Sequence, residues 1–254
     1  MSKYADPLNI LEKSDLTRVI RFMKDCLTAS REDEFHKLIL AFTSYLGFEY
    51  ILYCYSKDAY TPRSYVHFVN LSYPDAWMEE YHARGFLEHE PVRIEMERMM
   101  AKGEGTFIYW DKFDREISEG EKTVINRRNE YGFYYGCSVF NNNESKDMTF
   151  LMTLGSGSTK PDIRTEVIMN TVIPVLTIVR KRLSVIELTG ALSDREHAVA
   201  DLLCSGFAAG DIASALDITE ATVKFHIANI YKKLGVTNRQ GAVSLIQAAR
   251  YLGL

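Results

Sequence analysis

Between Tyr73 and Trp110 lies a group of side chains suited to holding a small polar molecule in an apolar setting. Tyr73, Trp77 and Tyr81 recur at i, i+4, so a helix would carry three polar-tipped rings on one face. Glu90 stands directly before Pro91 in an otherwise apolar neighbourhood, and a carboxylate buried there needs a donor such as an amide N–H. Trp110 brings a second indole, and Thr153, in a late apolar run, adds a hydroxyl. Two readings stay open from these residues alone. Rings at helical spacing are commonly plain core, whereas rings with a carboxylate fit a ligand pocket. The chemistry offered is recognition rather than catalysis: the chain has no G-x-S-x-G elbow, no P-loop and no H-E-x-x-H. Gly155-Ser-Gly-Ser lacks the helix and lysine of a phosphate loop, and His67, His82 and His89 lack zinc spacing. No cofactor, metal or enzymatic activity is expected.

A second set of residues lies near the C-terminus. At about 100° per residue, Val223, Ile227, Ile230 and Leu234 fall on one stripe and must face a core. Opposite them stand Ala221, Phe225, Ala228 and Lys232, with Lys224 and Asn229 on the flanks. This outer face is small or basic. From Ala221 to Gly241 the charges are Lys224, Lys232, Lys233 and Arg239, a local positive strip in a chain of net charge −4. Phosphates respond to the local charge. Lys224 and Lys232 are therefore expected on phosphates, with Phe225 and Ala228 facing bases. The plainer reading is a surface helix with scattered lysines; His226, beside the buried stripe, is most simply structural.

The elements that must position these sets can be read in outline. Ser193, with Glu196 three residues on, starts a helix that Gly206 stops. A second helix runs from Ala209 to Leu216, Asp217-Ile218-Thr219 makes a tight turn, and a third begins at Glu220. That is a helix-turn-helix signature, in which the second of the pair enters the major groove. Upstream, Leu16 to Leu27 and Phe35 to Leu46 are helical stripes, and Glu49 to Tyr55 and Ser64 to Asn70 are β-rich. Helices follow from Pro74, from Pro91 and over Lys122 to Tyr131, which reads as polar. Strands Cys137 to Asn141 and Met148 to Leu154 flank an Asn-rich hairpin turn. One long helix spans Thr165 to Ile186, with a kink expected at Pro174. The order predicts an α+β protein: an N-terminal α/β/α sandwich with an antiparallel sheet, residues 1–186, a linker, 187–191, and a small all-α domain, 192–254.

Composition agrees with a water-soluble chain long enough for both parts, at 254 residues, 25% charged and 46% hydrophobic. No apolar run approaches about 18 residues and the N-terminus lacks an apolar signal core, so the expected location is cytoplasmic, with no membrane partner. Cys26, Cys54, Cys137 and Cys204 are scattered through apolar runs and read as buried free thiols.

The C-terminal pattern closely resembles the DNA-binding domain of the LuxR-type transcription regulators. Leu192, Arg195-Glu196, Gly206, Ile212-Ala213, Leu216, Thr222-Val223-Lys224, His226, Asn229-Ile230, Lys233-Leu234, Val236 and Asn238-Arg239 fit the family. The resemblance implies a fourth helix, Arg239 to Tyr251, that helps the domain dimerise. A homodimer would bind a palindromic operator in double-stranded DNA, through Thr222, Lys224, Phe225, Ala228, Asn229 and Lys232. RNA polymerase is a further candidate partner.

The aromatic set resembles the autoinducer-binding domain of the same family, the quorum-sensing receptors. Tyr73, Pro74, Trp77, Tyr81, Pro91, Trp110, Gly132 and Gly136 meet its pattern. By that resemblance the ligand is an N-acyl homoserine lactone or a similar small acyl amide. Trp77 would take the lactone carbonyl, Tyr81 the acyl carbonyl and Glu90 the amide N–H, with Tyr73, Trp110 and Thr153 as further contacts. Two departures stand out. Glu90 replaces the family's Asp, so the carboxylate reaches one methylene further, and the Glu90–Trp110 segment is a few residues longer than usual. The alternatives are a regulator with a non-lactone ligand, one that acts without ligand, or a phosphorylation-gated response regulator. A chain that opens with two helices disfavours the last, because a receiver alternates β and α units.

Overall fold

A computed structural model describes residues 10–56, 66–141 and 149–251. The chain divides into two compact units, Met1–Thr177 and Ile178–Leu254.

The first unit opens with α1 (Lys13–Thr28) and α2 (Glu32–Tyr45). Each buries one stripe: Val19, Phe22 and Cys26 on α1, and Phe35, Ile39 and Phe42 on α2. Phe22 stacks on Phe42 with centroids 3.9 Å apart. Five strands follow in one antiparallel sheet: β1 (Tyr50–Ser56), β2 (Val66–Asn70), β3 (Phe107–Tyr109), β4 (Tyr135–Phe140) and β5 (Thr149–Ser156). Their order is β2-β1-β5-β4-β3. Between strands run α3 (Asp75–Ala83), a 3-10 turn (Phe86–His89), α4 (Pro91–Lys102) and α5 (Glu119–Glu130), and α6 (Ile163–Gly190) follows the sheet.

Register sets the two faces, because successive side chains alternate. Tyr53 pairs with Met152 and Met152 with Val139, while Leu52 pairs with Thr153 and Thr153 with Ser138. The first row meets α2: the Tyr53 ring lies against Phe35, and its hydroxyl is 2.8 Å from His36 Nε2. α6 joins that face through Tyr109, whose hydroxyl donates to Glu166 at 2.7 Å. Arg164 of α6 also donates to Asp15 of α1, at 2.5 and 2.9 Å, and Tyr45 of α2 donates to the same carboxylate at 2.6 Å. The second row meets a cluster drawn from α3, α4 and α5 that includes Trp77, Tyr81, Met96 and Val124. With buried residues on both faces, the expected sandwich is the fold.

Differences from expectation are local. β3 has three residues, too few for alternation to register. The 3-10 turn likewise has no period that a sequence displays. α3 starts at Asp75 with Pro74 as its cap, so Tyr73 precedes the helix. α6 contains Pro174 and runs on to Gly190, so most of the stretch expected as linker is helical. The start of the strand expected at Ser64, the residue Met148 and the Asn-rich turn after Asn141 lie outside the described residues.

The second unit holds α7 (Asp194–Cys204), α8 (Ala209–Leu216), α9 (Glu220–Leu234) and α10 (Arg239–Tyr251). Val199, Leu203, Ile212, Val223, Ile230, Leu234 and Ile246 share one core. The Ser193 capping box is present: its N–H donates to Glu196 at 2.8 Å, and the Glu196 N–H donates back to the Ser193 hydroxyl at 3.4 Å. The turn between α8 and α9 rests on Asp217, whose φ of 52° is left-handed. Asp and Asn tolerate that region better than other non-glycine residues.

Candidate ligand cavity and nucleic-acid face

On the second face of the sheet, the helices leave a cavity of about 80 Å³. Strand residues Leu52, Cys54, Phe68, Leu151 and Thr153 form its floor, and Trp77, Met78, Tyr81, Glu90, Val92, Trp110 and Arg128 are among its walls. All six residues singled out from the sequence border this one space. They arrive there by different routes. Trp77 and Tyr81 lie on consecutive turns of α3. Tyr73 is set by a local turn instead: its N–H donates to the Asn70 amide oxygen, and the Asn70 amide N–H₂ donates to the Tyr73 carbonyl, both at 2.9 Å. Glu90 is the N-cap of α4 with Pro91 at the first helical position.

The polar groups differ in what they can still offer. Glu90 accepts the Val92 N–H at a long 3.4 Å and a hydrogen bond from the Tyr81 hydroxyl. Burial pushes its carboxyl above the usual carboxylate range, against the pull of the nearby Arg128 charge and those bonds. The indole N–H of Trp77 has no protein acceptor among the described residues. Thr153 donates to the Leu52 carbonyl at 3.3 Å and is hydrogen-bonded to the Tyr73 hydroxyl, so both are largely engaged. Burial pushes the Tyr73 phenol up. The Trp110 indole N–H donates to the Ser138 hydroxyl at 2.9 Å, so Trp110 borders the cavity with its donor already engaged. That ring needs Gly136 beneath it: a Cβ there would stand 2.4 Å from the ring and 2.6 Å from the Leu154 carbonyl.

Cys54 and Arg128 are among the lining residues that the sequence did not single out as ligand contacts. Cys54 is buried and its thiol is pushed up to about 12 by desolvation, so it packs as a small apolar group. Arg128 on α5 is 7% exposed, its guanidinium sits 4.3 Å over the Trp110 ring, and its Nε has no hydrogen-bond partner. Burial lowers its pKa, and the Glu90 charge opposes that shift. The helix carrying it reads as polar, but Glu121, Val124 and Arg128, at i, i+3 and i+7, are its buried residues. One apolar residue was too little to reveal that stripe.

On α9 the expected outer face is present: Phe225 is 63% exposed, and Ala221, Lys224, Ala228 and Lys232 are exposed beside it. Thr222 and Asn229 are half-buried at its edges. The positive strip is thinner than its residue list suggests. Lys224 pairs with Glu220 at 2.7 Å, an acid just before the helix stretch read as free of acids. Lys233 is held by Glu196 at 2.6 Å, and Arg239 donates to the Leu203 and Phe207 carbonyls at 2.9 Å, both structural duties. Lys232 has no ion pair among the described residues. No helix of the described residues is long and apolar enough to cross a membrane.

Comparison with known proteins gives two family matches. Residues 31–178 match the family described as the autoinducer binding domain, and residues 190–246 match the bacterial regulatory proteins of the luxR family. The transcriptional activator protein AhyR of Aeromonas hydrophila is 25% identical over 237 residues, 89% of each chain. The regulator MalT of Yersinia pestis is 47% identical over 64 residues, 25% of this chain and 7% of its own. In fold, SdiA in complex with octanoyl-rac-glycerol superposes with a TM-score of 0.56 at 19% identity, covering 98% of this chain and 97% of that one. A second structure, of Escherichia coli SdiA, gives 0.54 at 20% identity over 93% and 97%.

Proposed function

The chain belongs to the luxR family of bacterial regulatory proteins that carry an autoinducer-binding domain, and from that premise we propose a cytoplasmic transcription regulator whose DNA binding is governed by a small acyl amide. The observation that carries this reading is the convergence of Trp77, Tyr81 and Glu90 on one cavity within the matched autoinducer-binding region. A free indole N–H, a phenol and a carboxylate with spare acceptor capacity can orient a head that has carbonyls and an N–H. Leu52, Met78 and Leu151 offer an acyl chain apolar contact. The ligand of the proposal is an N-acyl homoserine lactone or a close relative. Tyr73 and Thr153 support the site through their mutual bond, and Trp110 walls it.

In the same proposal, residues 1–186 sense the ligand and dimerise, 187–191 link, and 192–254 bind DNA. A homodimer presents two copies of α9 to a palindrome, which doubles the contacts of one short helix. Thr222, Lys224, Phe225, Ala228, Asn229 and Lys232 form the contacting face, and RNA polymerase is a further partner. No residue is assigned a catalytic role.

A second reading is a non-lactone acyl ligand. It is favoured by Glu90 where the family has Asp, and by the octanoyl glycerol in the SdiA structure. Titrating the full chain with N-octanoyl homoserine lactone and with octanoyl glycerol, while following melting temperature and retention of duplex DNA at fixed salt, separates the readings. A rise in both quantities with the lactone alone is expected. A rise with the glycerol ester alone supports the second reading, and no response to either overturns ligand control.

A further inference from the structure

Arg128 is the residue of the cavity that an acyl amide alone leaves unexplained. It is buried and unpartnered at Nε, and it is held in place by the Trp110 ring. Glu90 lines the same cavity but makes no ion pair with it; the Glu90 carboxylate is turned to the Val92 N–H and Tyr81. A buried guanidinium without a hydrogen-bonded acceptor is costly, and removing an ion's partner typically destabilises more than the pair itself contributes. The rest of the lining offers it no anion. Its fork of Nε–H and Nη–H groups matches the two oxygens of a carboxylate better than one carbonyl.

We propose that Arg128 reads a carboxylate on the ligand, so that the preferred occupant is an N-acyl amino acid: an acyl chain, an amide and a free acid. The amide N–H lies toward Glu90 and the carboxylate forks onto Arg128, with the head between Trp77 and Trp110. This rests on the cavity being the ligand site, as proposed above. The apolar walls strengthen the charge-assisted bonds by excluding water. A lactone and its ring-opened acid share chain and amide and differ at the group that faces Arg128.

Calorimetric titration of the full chain with N-octanoyl homoserine and with its lactone provides the test. Wild type should bind the acid more tightly than the lactone. Arg128→Met should weaken the acid about ten- to a hundredfold, the range for a hydrogen bond to a charged group, and the lactone less than about threefold. Circular dichroism establishes that the variant folds. Should it not, Arg128→Lys carries the test: it keeps the charge and loses the fork, so the acid should weaken at least about threefold with the lactone unchanged. Unchanged acid affinity in a folded variant overturns the role of Arg128. Binding of lactone but not acid to wild type overturns this inference and leaves the ligand site standing, whereas failure of both probes overturns the two together.

Discussion

In the proposed site, local stability and ligand recognition pull Glu90 in opposite directions. Its carboxyl is raised by burial above its unfolded value, so the folded state holds the proton more tightly. Stability from that preference is fully present below the unfolded pKa and is lost as pH rises through the folded one. Above that range the desolvated Glu90 charge costs the ligand-free domain stability. Glu90→Gln should raise the melting temperature without ligand at pH 7, shrink that gain at pH 4, and lower affinity for an acyl amide about ten- to a hundredfold. Melting curves at the two pH values and one titration check all three; a variant that melts lower at pH 7 would contradict the burial argument. Trp77→Phe keeps most of the apolar area and removes the free indole donor, so it should weaken the ligand while leaving the melting temperature within a few degrees. The ring and carboxylate types at these positions were legible in the sequence. Arg128 was not, because an arginine inside a run of polar residues has no pattern that distinguishes a buried position from a solvated one.

Elements bring such residues together, and around Trp110 one glycine carries much of the geometry. Gly136 lets the Trp110 ring lie flat against β4, and a methyl group there meets both ring and backbone. Gly136→Ala should displace Trp110, disturb its bond to Ser138 and destabilise the first unit by about 1–3 kcal/mol, as overpacking does. Chemical denaturation with tryptophan fluorescence reads both effects; an unchanged midpoint and spectrum would contradict them. On α9, the pairing of Lys224 with Glu220 refines the expectation for DNA. Lys224→Ala should weaken binding uniformly across sequences and reduce the salt slope by about one. A slope that stays the same would place Lys224 off the phosphates. The helices with clear apolar stripes, α1, α2, α7, α8 and α9, were readable from residue order because apolar residues recur at helical spacing, and in α7 the Ser193 capping box agrees with the stripe. β3 and the 3-10 turn were not, since their few residues are held by neighbours: Phe107, Ile108 and Tyr109 by pairing with β4, and Phe86 by the aromatic cluster around Trp77.

For the molecule as a whole, mass action couples the proposed ligand cavity of one unit to the helix-turn-helix of the other. A ligand that binds the folded sensor and not the unfolded chain stabilises it by about 2.7 kcal/mol at a hundred times its Kd. DNA affinity follows if dimerisation gains from the same binding. The division of labour was visible in the sequence because the two patterns occupy separate stretches. The identity of the ligand was not, because it depends on distances among Trp77, Glu90 and Arg128 that come from three different elements. The most direct test is mass spectrometry of the small molecules extracted from the purified protein, wild type beside Trp77→Phe and Glu90→Gln. An acyl amide should be recovered at close to one per chain from wild type and be depleted in both variants. A bound species without an acyl amide, or equal recovery from all three proteins, would contradict this.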